Sequence, residues 1–325
     1  MSGSVIIVQP DGGELFHRAE EAELLMSLGR FVLHDSLPDS EDELISRVRE
    51  ADALIIDLAQ ITAGVMDACP KLKLVSFIGV GVWSCVDVPA ATNRGIAVAN
   101  TPGYGSDAVA EHGLALILAA GRRLVEADRG IRRDGWATGL VGMELRGKTL
   151  GIVGLGSIGS RLAEIGRGLG MEVIVHTRNP SAKRASEHGV EFVELDELLE
   201  RSHVVSLHAA QTKETEGLIG AAELKKMRPE AIFINTARAA LVDDVALVRA
   251  LNEGWIAGAG IDVFESEPPP ADNPLFDLDN VVLSPHIAYN TAEARERLKR
   301  MVQENIVNFF QGQPCNIVNP EVLER

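Results

Sequence analysis

Apolar residues along this chain fall in short runs, separated by stretches where they recur every third or fourth position. Runs of this kind suit strands buried on both faces, and the intervening spacing suits helices that cover them. Residues 5–8, 31–33, 53–56, 74–78 and 96–99 predict strands. Residues 15–28 and 41–49 predict helices, the second with Leu44, Ile45 and Val48 on one face. Strands that alternate with helices make βαβ units and a parallel sheet. Residues 1–100 are therefore expected to form a doubly wound α/β domain of their own.

Thr101-Pro102-Gly103-Tyr104-Gly105 reads as a hinge-like linker. Ala108, Val109, Leu114, Leu116, Ile117 and Leu118 then predict a helix that is apolar around much of its girth, for a core or a subunit interface. On it, His112 reads as an interior or interface histidine rather than a ligand. A polar, glycine-bearing connection follows at 135–147. Residues 149–153 are a strand, and the chain then turns through Gly154, Gly156 and Gly159 into a helix carrying Ile158, Leu162, Ile165 and Leu169. G-x-G-x-x-G between strand and helix suits a dinucleotide. The first glycine turns the chain, the second lets backbone approach a pyrophosphate, and the third lets helix lie on strand. The plainer reading is a structural turn. Further strands at 172–176, 191–193, 204–207, 232–235, 257–261 and 281–283 predict a second parallel sheet. The last helix, 291–311, is expected to return to the first domain, with 293–300 as a solvated face.

Composition narrows the setting. A chain of 325 residues is long enough for two domains, and 46% hydrophobic with 24% charged residues is ordinary for a soluble protein. The net charge of −16 argues against nucleic acid and anionic membranes. Cys69, Cys85 and Cys315 form no C-x-x-C pair, so no zinc site and no disulfide framework is expected, and a reduced, cytoplasmic setting fits. The N-terminus lacks the basic region of a signal peptide. No apolar run nears the ~20 residues of a membrane span.

Polar residues collect where the second set of strands ends: His208, then Asn235-Thr236-Ala237-Arg238, Asp262, Glu267 and His286. The carboxyl edge of a parallel sheet is where ligands bind. Expected cofactor contacts are Gly154, Gly156, Ser157, Ile158, Gly159, Thr177, Arg178, His208, Ala209, Thr236, Ala237, Asp262, His286 and Ala288. An NAD site places a carboxylate at the end of its second strand. Here Thr177 and Arg178 stand there, which suits a 2′-phosphate and favours NADP over NAD. Gly79-Val80-Gly81, beyond strand 74–78, is either a plain turn or a backbone cradle for a carboxylate. Cys85 beside it reads as a small buried hydrophobe, not a nucleophile. Residues 75–87 hold no Lys or Arg for a substrate phosphate.

Longer motifs span most of the chain: GIAVANTPG at 95–103, VAEHGLALILAAGRRL at 109–124, GLGSIG at 154–159, FINTARAALVD at 233–243, AGIDVFESEPP at 259–269 and LSPHIAYNT at 283–291. In these the chain resembles the D-isomer-specific 2-hydroxyacid dehydrogenases. The resemblance implies a Rossmann cofactor domain, 101–288, inserted in a flavodoxin-like substrate domain, 1–100 with 289–325. It implies catalysis by Arg238, Glu267 and His286, with Val80, Gly81 and Arg238 on the substrate, no metal, and a homodimer. Arg can fork onto a 2-keto acid, and His can deliver the proton that accompanies hydride. Glu267 would hold the imidazole, stiffened by Pro268, Pro269 and Pro270. The expected activity is NAD(P)-dependent reduction of a small 2-keto acid such as hydroxypyruvate or glyoxylate. The alternatives are 3-phosphoglycerate dehydrogenase and, in a different class, an NAD(H)-sensing binding protein. Some positions depart from the family pattern: Ala239 replaces the usual glycine, the 79–87 loop is altered and bulkier, and the regulatory domain that long phosphoglycerate dehydrogenases carry is not expected here. Ser284 and Glu267 disfavour the formate dehydrogenase branch.

Overall fold

The computed structural model describes residues 4–12, 15–136 and 139–324. Residues 1–3, part of the N-terminal segment read above, and 137–138 of the glycine-bearing connection lie outside the described residues. The chain divides into two compact units, Met1–Tyr104 with Thr291–Arg325, and Gly105–Asn290.

The first unit holds β1 (Val5–Gln9), β2 (Gly29–Leu33), β3 (Ala53–Ile56), β4 (Leu74–Phe77) and β5 (Ala97–Ala99) in the order β2-β1-β3-β4-β5. All pairings are parallel. This is the flavodoxin-like order, whose ligand edge lies at the carboxyl ends of the strands. β3 and β4 are buried at every position, which is why β3 reads as an unbroken apolar run and β4 as one broken only by Ser76. The helix expected over 15–28 is corrected. Only a 3₁₀ turn at Ala19–Glu21 and one helical turn, α1 (Glu23–Met26), form there. Arg18 is extended, with φ −142° and ψ 146°. Ahead of it Leu15 and Phe16 are drawn into the core, where Phe16 meets Phe31 edge to face at 5.7 Å. Tertiary burial thus outweighs helical spacing in that stretch. α2 (Glu41–Val48) buries Leu44 and Val48 and is capped by Ser40. α3 (Ala63–Asp67) and α4 (Val88–Asn93) are too short to show a period, but their caps Thr62 and Asp87 are visible in the sequence. The C-terminal helix, Ala292–Phe310, places Ala294, Leu298, Val302 and Ile306 four residues apart on one buried face. The last three join Ile7, Ile55 and Leu74 in one core.

The second unit begins with α5 (Ser106–Gly121) and α6 (Leu124–Asp134). Arg123 separates them in a left-handed conformation at φ 50°. α6 buries only Gly130, so its pattern carried no core-facing stripe to read. Then come β6 (Thr149–Val153), α7 (Ser157–Gly168), β7 (Glu172–His176), α8 (Ala182–His188), β8 (Glu191–Phe192), α9 (Leu195–Arg201), β9 (Val204–Leu207), α10 (Ala221–Lys226), β10 (Ile232–Asn235), α11 (Asp244–Asn252), β11 (Gly258–Ile261) and β12 (Val281–Leu283). The seven strands run in the order β12-β11-β10-β9-β6-β7-β8. All are parallel. The chain winds outward in both directions from β6 and β9, a Rossmann-type order with its switch point between those strands. α5 and α7 pack together on one face, with Leu116, Ile117, Leu162 and Ala163 over Leu150 and Ile152. α9, α10 and α11 cover the other, over Val205 and Phe233.

Candidate active site

The glycine turn stands at the switch point. β6 ends at Val153, whose carbonyl accepts from the His208 amide at 2.7 Å, so the loops after β6 and β9 are tied together. Gly154 has φ +99°, and a Cβ there would lie 2.7 Å from the His208 carbonyl and the Ala209 nitrogen. A Cβ on Gly159 would fall 2.2 Å from the Gly154 carbonyl oxygen. Both positions therefore need glycine to let loop and helix close on the strand. Gly156 differs, since a Cβ there would meet nothing within 4 Å. It precedes α7, whose N-terminus no side chain caps. Ser157 and Ile158 open that helix. The arrangement leaves backbone N–H groups facing open space, which fits a dinucleotide pyrophosphate.

Other expected cofactor residues sit on the same sheet edge. His208 follows β9 and pairs through Nε2 with Ser206 Oγ at 2.9 Å. It is half-buried by accessible surface, but its ring is densely surrounded, and this burial pushes the imidazole down to about 4. Thr236 follows β10, and its Oγ1 is buried without a partner among the described residues, a polar atom ready for a ligand. Asn235 was not among the expected site residues. Its Oδ1 accepts from the Ala237 amide at 3.0 Å and its Nδ2 donates to the Arg238 carbonyl at 2.9 Å, so it fixes the turn carrying Thr236, Ala237 and Arg238. Thr177 and Arg178 follow β7, and Arg178 faces Glu214 at 3.5 Å with both side chains exposed.

Of the expected catalytic residues, the fold joins two directly. His286 Nδ1 and Glu267 Oε2 are 2.6 Å apart, and Glu267 Oε1 accepts from the Phe264 amide at 3.0 Å. The Glu267 side chain is 37% exposed and that of His286 39%, so the pair is open to a ligand. Arg238 is also exposed, and among the described residues no carboxylate stands within ion-pair distance of it. Its Nη1 donates only to the Ala237 carbonyl, at 2.7 Å.

Asp262 has a different place from the one its strand-end position suggests. It is fully buried, and its carboxylate takes the Ser284 hydroxyl at 2.6 Å and the amides of Ile287 and Ala288 at 3.0 Å each. Burial pushes this carboxyl up, but hydrogen bonds from His112, Ser284, Ala288 and Ile287 outweigh it and hold the group below its ordinary value.

In the first unit, Gly79 and Val80 follow β4 as expected. Thr101 Oγ1 accepts from the Gly79 amide at 2.9 Å, and Asn100 Nδ2 donates to the Val80 carbonyl at 2.9 Å. The loop is thus held through the Gly79 amide and the Val80 carbonyl, with Val80 47% exposed. Cys85 is half-buried, and burial pushes its thiol up, consistent with a small hydrophobe. No group of His, Cys, Asp and Glu side chains among the described residues could hold a metal ion, and no described helix is long and apolar enough to cross a membrane.

Two α/β units, one with a glycine turn at a Rossmann switch point and a histidine–glutamate pair on the same edge, define a dinucleotide-dependent enzyme. Residues 114–288 match the family model "D-isomer specific 2-hydroxyacid dehydrogenase, NAD binding domain". Glyoxylate reductases of Korarchaeum cryptofilum and Aeropyrum pernix are 45% and 48% identical to the chain, over 89% and 88% of it and the same shares of their own lengths. The structure of an NADPH-dependent glyoxylate/hydroxypyruvate reductase from Sinorhizobium meliloti, in complex with NADP and malonate, matches with TM-score 0.84 and 30% identity over 98% of each chain. The chain belongs to the D-isomer specific 2-hydroxyacid dehydrogenases. It is an oxidoreductase that acts on CH–OH groups with a nicotinamide cofactor.

Proposed function

We propose that this enzyme reduces glyoxylate and hydroxypyruvate to the corresponding 2-hydroxy acids, with NADPH preferred over NADH. The observation that carries the reading is the His286–Glu267 pair. Glu267 occupies Nδ1, which leaves Nε2 to carry a proton toward a substrate. Arg238, exposed and without a carboxylate partner among the described residues, suits the carboxylate of a 2-keto acid and would orient the adjacent carbonyl. In the first unit, Val80 and Gly81 are further proposed substrate contacts. The cofactor, when bound, supplies hydride to the carbonyl carbon. His286 gives its proton to the carbonyl oxygen, and Glu267 keeps the ring in place while it does so. In the oxidative direction His286 accepts that proton.

Gly154, Gly156, Ser157, Ile158, Gly159, His208, Ala209, Thr236, Ala237, His286 and Ala288 form the proposed cofactor contacts, with the buried Asp262 holding the turn that carries Ala288. Arg178 supports the NADPH preference, because its cation stands where a carboxylate would select NAD, although Glu214 shares it. The absence of any Lys or Arg from 75 to 87 argues for unphosphorylated substrates. A homodimer is supported by Leu118, Leu124, Ile131, Trp136 and Val141, 41–84% exposed within one stretch of the second unit. The free cysteines fit a reduced, cytoplasmic setting.

The test is a panel of 2-keto acids assayed by oxidation of NADPH and of NADH. Turnover of glyoxylate and hydroxypyruvate, faster with NADPH, with phosphohydroxypyruvate poor, is the expected outcome. Tight NADPH binding with no turnover of any keto acid would point to a sensor instead.

A further inference from the structure

We propose that His112 is a positioning residue for His286, acting through Ser284 and Asp262. The proposal rests on the reading of His286 as proton donor given above. The starting point is the backbone of the turn that follows β12. His286 is one of three non-glycine residues at positive φ among the described residues, with φ 52°, a conformation that persists only where the surroundings enforce it. One residue supplies that enforcement. The Asp262 carbonyl accepts from the His286 amide at 2.8 Å. The Asp262 carboxylate takes the next two amides, Ile287 on Oδ1 and Ala288 on Oδ2. The turn presenting His286 is therefore wrapped around a single buried carboxylate.

That carboxylate has no Lys or Arg within ion-pair distance among the described residues, and the nearest cationisable group is His112. His112 lies in α5, which packs against β10, β11 and β12. Its Nε2 is 2.8 Å from Ser284 Oγ and 3.5 Å from Asp262 Oδ1. Ser284 has one proton, and at 2.6 Å it gives it to Asp262 Oδ1. Ser284 Oγ must then accept from His112, so His112 carries its proton on Nε2. A chain of three side chains thus runs from the rigid helix α5 to the carboxylate that shapes the catalytic turn. If the imidazole donor is lost, Ser284 loses its donor and the fully buried Asp262 carboxylate loses part of the network that satisfies it. The turn can then relax, and His286 with it. A misplacement of about 1 Å at a reacting group costs about a hundredfold in rate.

The experiment compares His112→Phe, which keeps ring volume without the donor, with His112→Gln, whose amide nitrogen can reach the Nε2 position. Ser284→Ala cuts the same chain without altering α5. Two readouts are taken: amide hydrogen exchange of the segment 284–290 without cofactor, and kcat and KM for glyoxylate at saturating NADPH. In His112→Phe and in Ser284→Ala, exchange of that segment should rise and kcat should fall at least about tenfold, with KM for either substrate changed less than about threefold. His112→Gln should keep both readouts near wild type. Unchanged exchange in both His112→Phe and Ser284→Ala would overturn the proposal, whatever the activity. So would a His112→Gln enzyme as impaired as His112→Phe. If exchange rises as expected but the wild type turns over no keto acid, the coupling stands and the assignment of function fails.

Discussion

At the scale of single residues, the account divides labour among three side chains and a supporting shell. Arg238→Ala should raise KM for the keto acid as well as lower kcat, with kcat/KM down about a hundredfold or more, because it removes a charge-assisted contact present from binding onward. Glu267→Gln keeps the shape beside His286 but removes the charge at Oε2. It should lower kcat by about tenfold to a hundredfold while NADPH affinity stays within about twofold. An Arg238→Ala enzyme with normal KM, or a Glu267→Gln enzyme with normal kcat, would move these residues out of the site. His208 yields a pH prediction. Burial depresses its imidazole from 6.5 to about 4, so the folded chain holds it neutral. The unfolded chain binds that proton near 6.5, so the contribution is complete above that pH and is lost as pH falls toward 4. The loss is about 2 kcal/mol, discounted because the side chain is partly accessible. A Tm profile of the cofactor-free protein should slope downward between pH 6.5 and 4, and His208→Gln should flatten that slope. Identical slopes in both would contradict it. The candidate catalytic types were legible in the sequence because they stand at strand ends inside long motifs, and the fold brings two of them, His286 and Glu267, together. Asn235 and His112 were not, since an asparagine folded onto its own turn and a histidine on an apolar helix look the same as ordinary structural residues until their partners, Ala237 and Arg238 or Ser284 and Asp262, are seen.

At the scale of elements, the glycine turn separates two demands that one motif combines. Gly159→Ala places a methyl against the Gly154 carbonyl, so α7 must move off β6. It should lower Tm by several degrees, as overpacking of about 1–3 kcal/mol does. Gly156→Ala meets nothing in the protein, so Tm should hold within about 2 °C. NADPH affinity should nevertheless drop at least about tenfold, since the methyl enters the space proposed for the pyrophosphate. Thermal melts and fluorescence titration of NADPH distinguish the two, and equal behaviour of both variants would remove the pyrophosphate reading. Strands were the most readable elements, because β3, β4, β6, β9 and β10 are buried at every position and so read as short, mostly apolar runs. The segment 15–28 misled because Leu15 and Phe16 are core residues ahead of the helix rather than part of its face. α6 escaped because its apolar positions, Leu124 and Ile131 among them, stay exposed instead of packing into a core.

At the scale of the whole molecule, sequence order already separated the chain into segments, because each sheet needs its own run of strands. The C-terminal helix was readable as a member of the first unit only through where its apolar face had to go, and Leu298, Val302 and Ile306 do join Ile7 and Leu74. Assembly is less legible, since an exposed Trp136 or Val141 reads the same in a loop as at an interface. Light scattering on the purified protein should give about twice the 34.9 kDa chain mass, and the chain mass alone would remove the dimer. The central claim is that His286 hands a proton to a small 2-keto acid while hydride is delivered to the same carbonyl. Its most direct test is steady-state reduction of glyoxylate with NADPH by the wild type and by His286→Ala, with NADPH affinity measured on both. The account predicts a kcat lower by about a hundredfold to ten-thousandfold in His286→Ala, with NADPH affinity within about threefold. A His286→Ala enzyme that binds NADPH normally and keeps near wild-type kcat would contradict it.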